Sequence, residues 1–229
     1  MRHLLVIALL VCCVCGNTCF AFGSNELIPH KGPSDQAASV YENLSFQQVT
    51  QETMGEVIGI ASDDAGWIYI LKNSVGGKKV VDIYNCEGKF HSGISYTTAS
   101  TCGLLQLEET AYLYFVRGQF AFLLKNGKLS TSLYSFNDHS GRYAYANYIA
   151  DCRVFPNRTL SSTSGNFFLK ILGCTSKVDL YLSDGTMTVF DATEYCSGKF
   201  ATIITFSLAF LSSIVVGLVH CFELSKKKR

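Results

Sequence analysis

Charge of either sign is sparse and scattered in this chain. Nineteen Lys and Arg residues oppose 18 Asp and Glu, a formal net charge of +1 over 229 residues. Basic residues adjoin one another only at Lys78-Lys79 and in Lys226-Lys227-Lys228-Arg229. A basic stripe able to track a phosphate backbone is therefore missing, which argues against nucleic acid as a partner. Between residues 24 and 199 there is no Cys-x-x-Cys or His-x-x-x-His spacing, so a zinc site is not expected. The chain also lacks a Gly-x-Ser-x-Gly elbow, a phosphate-binding Gly-rich loop and a His-Glu-x-x-His helix. The expectation is a protein without a cofactor and without enzymatic activity.

One absence is local and decides the topology. Phe200 to Phe222 is 23 positions without a charge, followed by the short basic segment 223–229. At about 1.5 Å per residue, that run crosses a hydrocarbon core about 30 Å thick. Positive charge beyond it favours the cytoplasmic side. At the other end, Arg2, the apolar Leu4–Val14 and the small-x-small step Ala21-Phe22-Gly23 have the parts of a secretory signal, cleaved before Ser24. An uncleaved anchor that spans a second time is the alternative. The expected order is signal peptide 1–23, polar lead-in 24–55, extracytoplasmic domain 56–199, transmembrane helix 200–222 and cytoplasmic tail 223–229. That is a single-pass type I membrane protein.

Of the ten cysteines, Cys12, Cys13, Cys15 and Cys19 leave with the signal and Cys221 sits at the inner edge of the span. Cys221 is a palmitoylation candidate. Cys86, Cys102, Cys152, Cys174 and Cys196 remain outside, enough for two disulfides and one leftover thiol in an oxidising compartment. Spacing leaves their pairing open. Cys196, just above the membrane, is also placed for an interchain bridge, and several of the five equally suit small buried apolar positions.

From Glu56 onwards, short runs of Val, Ile, Tyr and Phe alternate with Gly, Asn and Asp, and the whole chain has only three prolines. That pattern predicts an all-β domain. Strands are expected at Gly66–Leu71 and Lys79–Tyr84, at Thr110–Val116 and Phe120–Leu124, and at Asn166–Leu172 and Val178–Leu182. Each pair ends in a turn: Asn85–Lys89, Lys125-Asn126-Gly127-Lys128 or Ser183-Asp184-Gly185. Asn-Gly and Asp-Gly supply the positive-φ residues of two-residue hairpins. Three such units suggest supersecondary repeats.

The first unit, Ser62-Asp63-Asp64-Ala65-Gly66-Trp67-Ile68-Tyr69-Ile70-Leu71, then Val80–Tyr84 and Glu87-Gly88-Lys89-Phe90, resembles a blade of an NHL-type or related β-propeller. In those blades an Asp-x-x-Gly-x-Ile-Tyr-Val strand leads to a strand ending in Asp-x-x-Gly-Lys; here Cys86 stands in the turn. The resemblance implies a scaffold that binds proteins, peptides or glycans, without an invariant catalytic residue. At about 40 to 45 residues per blade, residues 56–195 hold three blades, or four if the lead-in adds strands. The expected fold is a propeller-like meander, alternatively a two-sheet β-sandwich, with one carboxyl-proximal transmembrane helix.

Other candidate positions fit this frame. Asn43-Leu44-Ser45 and Asn157-Arg158-Thr159 are glycosylation sequons. Lys226 and Lys227 match a dilysine retrieval signal, which implies endoplasmic-reticulum residence and a protein that retains a partner there; a stop-transfer cluster is the plainer reading. Ser213 and Gly217 form a small-x-x-x-small face suited to homodimerisation. Cys86 with His91, or Cys102 with His139, are the only pairs open to a tethered-hydrolase reading, and no flanking residue supports either. The expected activity is binding or scaffolding of another protein or a glycan.

Overall fold

The computed structural model describes residues 29–32, 43–74, 77–116, 120–136 and 152–226. The expected signal 1–23, His139, Tyr143, Tyr145, Tyr148 and Lys227 lie outside them. Three antiparallel sheets dominate, none closed into a barrel. Strands β3 (Glu56–Ser62), β4 (Ile68–Asn73), β5 (Lys79–Tyr84) and β6 (Phe90–Tyr96) form one meander, and β7 (Cys102–Leu107), β8 (Thr110–Phe115), β9 (Phe120–Lys125) and β10 (Lys128–Phe136) a second. The third comprises β11 (Cys152–Phe155), β12 (Arg158–Thr163), β13 (Lys177–Leu182) and β14 (Gly185–Asp191). A five-residue helix α1 (Phe167–Ile171) separates β12 from β13, and the 34-residue helix α2 (Thr193–Lys226) follows β14. The mostly-β expectation holds, and among the described residues one helix, α2, is long and apolar enough to cross a membrane.

The lead-in 24–55 supplies two short strands. β1 (Pro29–Lys31) pairs with β10 and β2 (Gln47–Val49) pairs with β6. Three-residue strands have no periodicity of their own; the neighbouring edge organises them. They cap the outer edges of the first two sheets, as an exposed row of peptide groups requires.

A second correction concerns Asn166–Leu172, expected as a strand. It is helical from Phe167, because Asn166 accepts a hydrogen bond from the Leu169 N–H as an N-cap. Gly173, at φ 65°, then stops the helix in the left-handed conformation that glycine tolerates. Elsewhere the turn chemistry is as expected: Asn126 (φ 51°) and Gly127 (φ 69°) make the β9–β10 hairpin turn.

The β3–β6 sheet lies between the other two, and this explains its composition. Alternate residues of a strand point to opposite faces. Tyr69, Leu71, Val81 and Ile83 pack on Leu104, Leu113 and Phe122 of the β7–β10 sheet. Ile68, Ile70 and Tyr84 pack on Leu160, Val178 and Phe190 of the β11–β14 sheet. With both faces covered, β4 and β5 are near-continuous apolar runs.

Two charges interrupt those runs on the face toward β14. Lys72 and Asp82 are both fully buried and bonded to one another. Lys72 Nζ also donates to the Thr53 carbonyl at 2.6 Å and stands 3.8 Å from the centre of the Phe190 ring. Thr53 gives its N–H (3.0 Å) and its hydroxyl (3.1 Å) to Asp82 Oδ2. Gly93 is required beneath: a Cβ there would come within 2.6 Å of Asp82 Oδ1. Burial pulls the Lys72 pKa below its usual value, and Asp82 opposes that pull. Removing one member leaves the other buried and unneutralised, a cost of about 3–5 kcal/mol. Lys72→Met should therefore lower unfolding stability by that order in denaturant titrations of the detergent-solubilised protein. Adding Asp82→Asn should restore most of it, since the amide oxygen still accepts from Thr53; equal or additive losses would contradict the pairing.

Candidate functional site

The three sheets meet along their first strands, where peptide groups left over from each ladder face one another. Arg153, on β11 and almost fully buried, fills this junction. Its Nε donates to the Ile60 carbonyl of β3 at 3.2 Å and its Nη2 to the Leu104 carbonyl of β7 at 3.1 Å. One planar guanidinium thus serves carbonyls from two sheets while its own strand belongs to the third. The Ser62 N–H completes the contact between β3 and β7 by donating to Gln106 Oε1 at 2.9 Å.

A second knot ties the turns at one end of the strands. Asp63 is buried. Its carboxylate accepts from Trp67 N–H (2.9 Å), the Tyr69 hydroxyl (2.7 Å) and Asn126 N–H (2.7 Å). Gly127 N–H donates to the Tyr69 oxygen at 3.1 Å, and Trp67 covers Gly127 so closely that a Cβ there would meet its ring at 2.8 Å. Arg158 Nη2 donates to the Asp63 carbonyl at 2.9 Å and to the Ser62 hydroxyl at 3.0 Å. Burial and Asp63 together raise the Tyr69 pKa, so this phenol stays a neutral donor at physiological pH. Asp63, Gly66 and Tyr69 are the positions that carried the blade resemblance, and here their work is docking of the sheets.

What remains open is the β11–β14 sheet. Its outer edge, β14, has no further strand among the described residues, unlike β10 and β6. Gly185, Thr186 and Thr188 on it are exposed. On the outer face Val154 and Tyr181, both opposite Thr159 in register, are 77% and 43% exposed. Only Tyr181 of the two adjoins β14, opposite Thr186, since Val154 stands on the far edge strand β11; an edge with unpaired peptide groups is open to strand pairing. At the α2 end of the strands, a polar cleft of about 560 Å³ is lined by Glu56, Lys79, Ser100, Thr101, Ser162 and Thr175. It holds one acid, one base and several hydroxyls. Among the described residues no group of three His, Cys, Asp or Glu is placed to hold a metal ion.

The sequence-predicted residues are dispersed across this frame. Asn43 and Asn157 are both exposed, Asn157 in the β11–β12 turn. Cys86 is exposed, while His91 sets its ring edge-on to Trp67 at 5.0 Å between centroids. Cys102 is buried with its sulfur 3.2 Å from the Tyr96 hydroxyl, and burial pushes its thiol above the usual value, the opposite of an activated nucleophile. Cys152 is exposed. Cys174 and Cys196, both free thiols, share one buried cluster; burial, then the neighbouring Cys196, pushes the Cys174 thiol up to about 12. Ser213 and Gly217 lie on the exposed surface of α2, where the Ser213 hydroxyl bonds back to the Ala209 carbonyl at 2.9 Å. Cys221 and Lys226 fall within α2. Tyr69, Tyr84, Tyr96, Tyr112 and Tyr114 are core and offer no recognition surface. Sequence reasoning did not single out Arg153, Lys72, Asp82 or β14. Isolated charges inside apolar strands were the available signal for the first three.

No protein-family model and no curated protein matches the chain.

The burial pattern predicts thiol behaviour. In the native protein, maleimide should label Cys86 and Cys152 rapidly and Cys102 only after unfolding. After expression in an oxidising compartment, non-reducing peptide mapping should recover Cys174 joined to Cys196. Recovery of any other pairing among the five would contradict the placement.

Proposed function

We propose that this chain is a single-pass type I membrane protein whose β ectodomain binds another protein. The three meanders, gathered by their first strands around Arg153, form a propeller-like scaffold, and β14 with the adjoining outer face is its recognition surface. The observation that carries this reading is the asymmetry of the edges. The lead-in caps β10 and β6, and no described strand caps β14. A partner that adds an extended segment there gains main-chain hydrogen bonds along the edge and contact with the exposed Tyr181 one strand in, which is paired with Thr186. Helix α2 supports the membrane part: Thr193–Gly217 is long and apolar enough to cross a bilayer, and its side chains between Ile203 and Val216 are largely exposed. The basic cluster beyond it favours the cytoplasm, which leaves the sheets outside. A binding role also accords with the raised thiol of Cys102. Asn43 and Asn157 then face the compartment in which sequons are used.

The test is site-specific photocrosslinking in cells that express the full chain. A photoreactive residue at Thr186 should capture a discrete protein adduct, while the same group at Gln48, exposed on the capping strand β2, should not. Capture at neither position, or equally at both, would remove β14 as the binding edge.

A further inference from the structure

We propose that α1 is a membrane-interface helix, with its outward apolar side chains resting in the boundary between headgroups and acyl chains of the bilayer that α2 crosses. The inference rests on the reading of α2 as a span. Four of the five residues of α1 are large and apolar, and Leu172 follows as its C-cap. Only Leu169 is turned inward, into the cluster that includes Cys196 and Phe200. Phe167 is 77% exposed and Ile171 68%, with Phe168 and Leu172 also exposed. Phe167 and Ile171, like Phe168 and Leu172, are four residues apart, so the two pairs make one continuous face. An outward apolar face of this width, with Lys170 the one charge beside it, belongs against an apolar surround.

The position of the helix names that surround. Asn166 Nδ2 donates to Ser197 Oγ of α2 at 2.9 Å, and Leu169 shares its cluster with Phe200. Helix α1 therefore stands level with residues 197–200, where the uncharged run begins. The exposure of Phe167 matches that of Phe206 (73%) and Phe210 (69%) on the lipid-facing surface of α2. The apolar face of α1 thus continues the surface of the span. Lys170 and Lys199 are exposed at the same level, where long basic side chains reach lipid phosphates while their stems stay in apolar contact.

The experiment uses the full chain, reconstituted into phosphatidylcholine vesicles with bromine at defined depths along the acyl chains. Tryptophan is introduced by Phe167→Trp or by Phe206→Trp, with native Trp67, at the far end of the strands, as the baseline. Phe206→Trp reports the span alone. The expected result is loss of the added emission in both variants, with Phe167→Trp quenched more by shallow bromines than by deep ones and shifted to the blue. Quenching of Phe206→Trp together with unquenched emission from Phe167→Trp would overturn the interface helix and leave the span intact, whether that emission is red like an indole in water or blue from cover by protein. No quenching in either variant would overturn the span and this proposal with it.

Discussion

Three sheets that meet along their first strands must satisfy the peptide groups facing the junction, and in this protein a buried arginine does so. A carbonyl taken out of water without a donor costs about 1–3 kcal/mol. β3 and β7 bring such carbonyls together with no strand between them. The Arg153 guanidinium, with its fixed fork of donors, reaches Ile60 and Leu104 at once. A lysine at the same place would offer a flexible point charge without that planar reach. The packing of the three meanders, the covering of both faces of the β3–β6 sheet and the position of β14 all follow from this meeting of edges.

The rest of the architecture separates by end. The turns tied by Asp63 gather at one end of the strands, and the connections that include α1 and lead into α2 lie at the other. The first end is rigid by construction, since a single carboxylate fixes a β3–β4 turn against a β9–β10 turn. The second joins the sheets to α2 through Asn166, Ser197 and the Cys174–Cys196 neighbourhood. A frame fixed in this way holds its uncapped edge β14 in a constant orientation to the other two sheets.

Much of this was legible in the residues and some was not, for identifiable reasons. Gly-Trp-Ile-Tyr-Ile-Leu and Lys-Val-Val-Asp-Ile-Tyr announced β4 and β5, because strands buried on both faces are near-continuous apolar runs. Asn126-Gly127 announced its hairpin through backbone chirality. The uncharged run announced α2. Asn166–Leu172 misled, since a short, mostly apolar run has the same composition in a strand as in a buried helix, and only Asn166 at its start and Gly173 after it carried the difference. β1 and β2 were invisible because the pairing edge makes them. Arg153 gave no signal beyond being a charge in a short strand, and its role exists only once three distant segments are brought together.

The most direct measurement of the central constraint is amide hydrogen exchange, followed residue by residue in wild type and in Arg153→Met. Exchange reports local opening, so it separates a junction from a general loss of stability. If Arg153 holds the sheets together, exchange should accelerate first along β3 and β7, while the β8–β9 and β13–β14 pairings keep more of their protection. Uniform acceleration across all three sheets, or none along β3 and β7, would contradict the account.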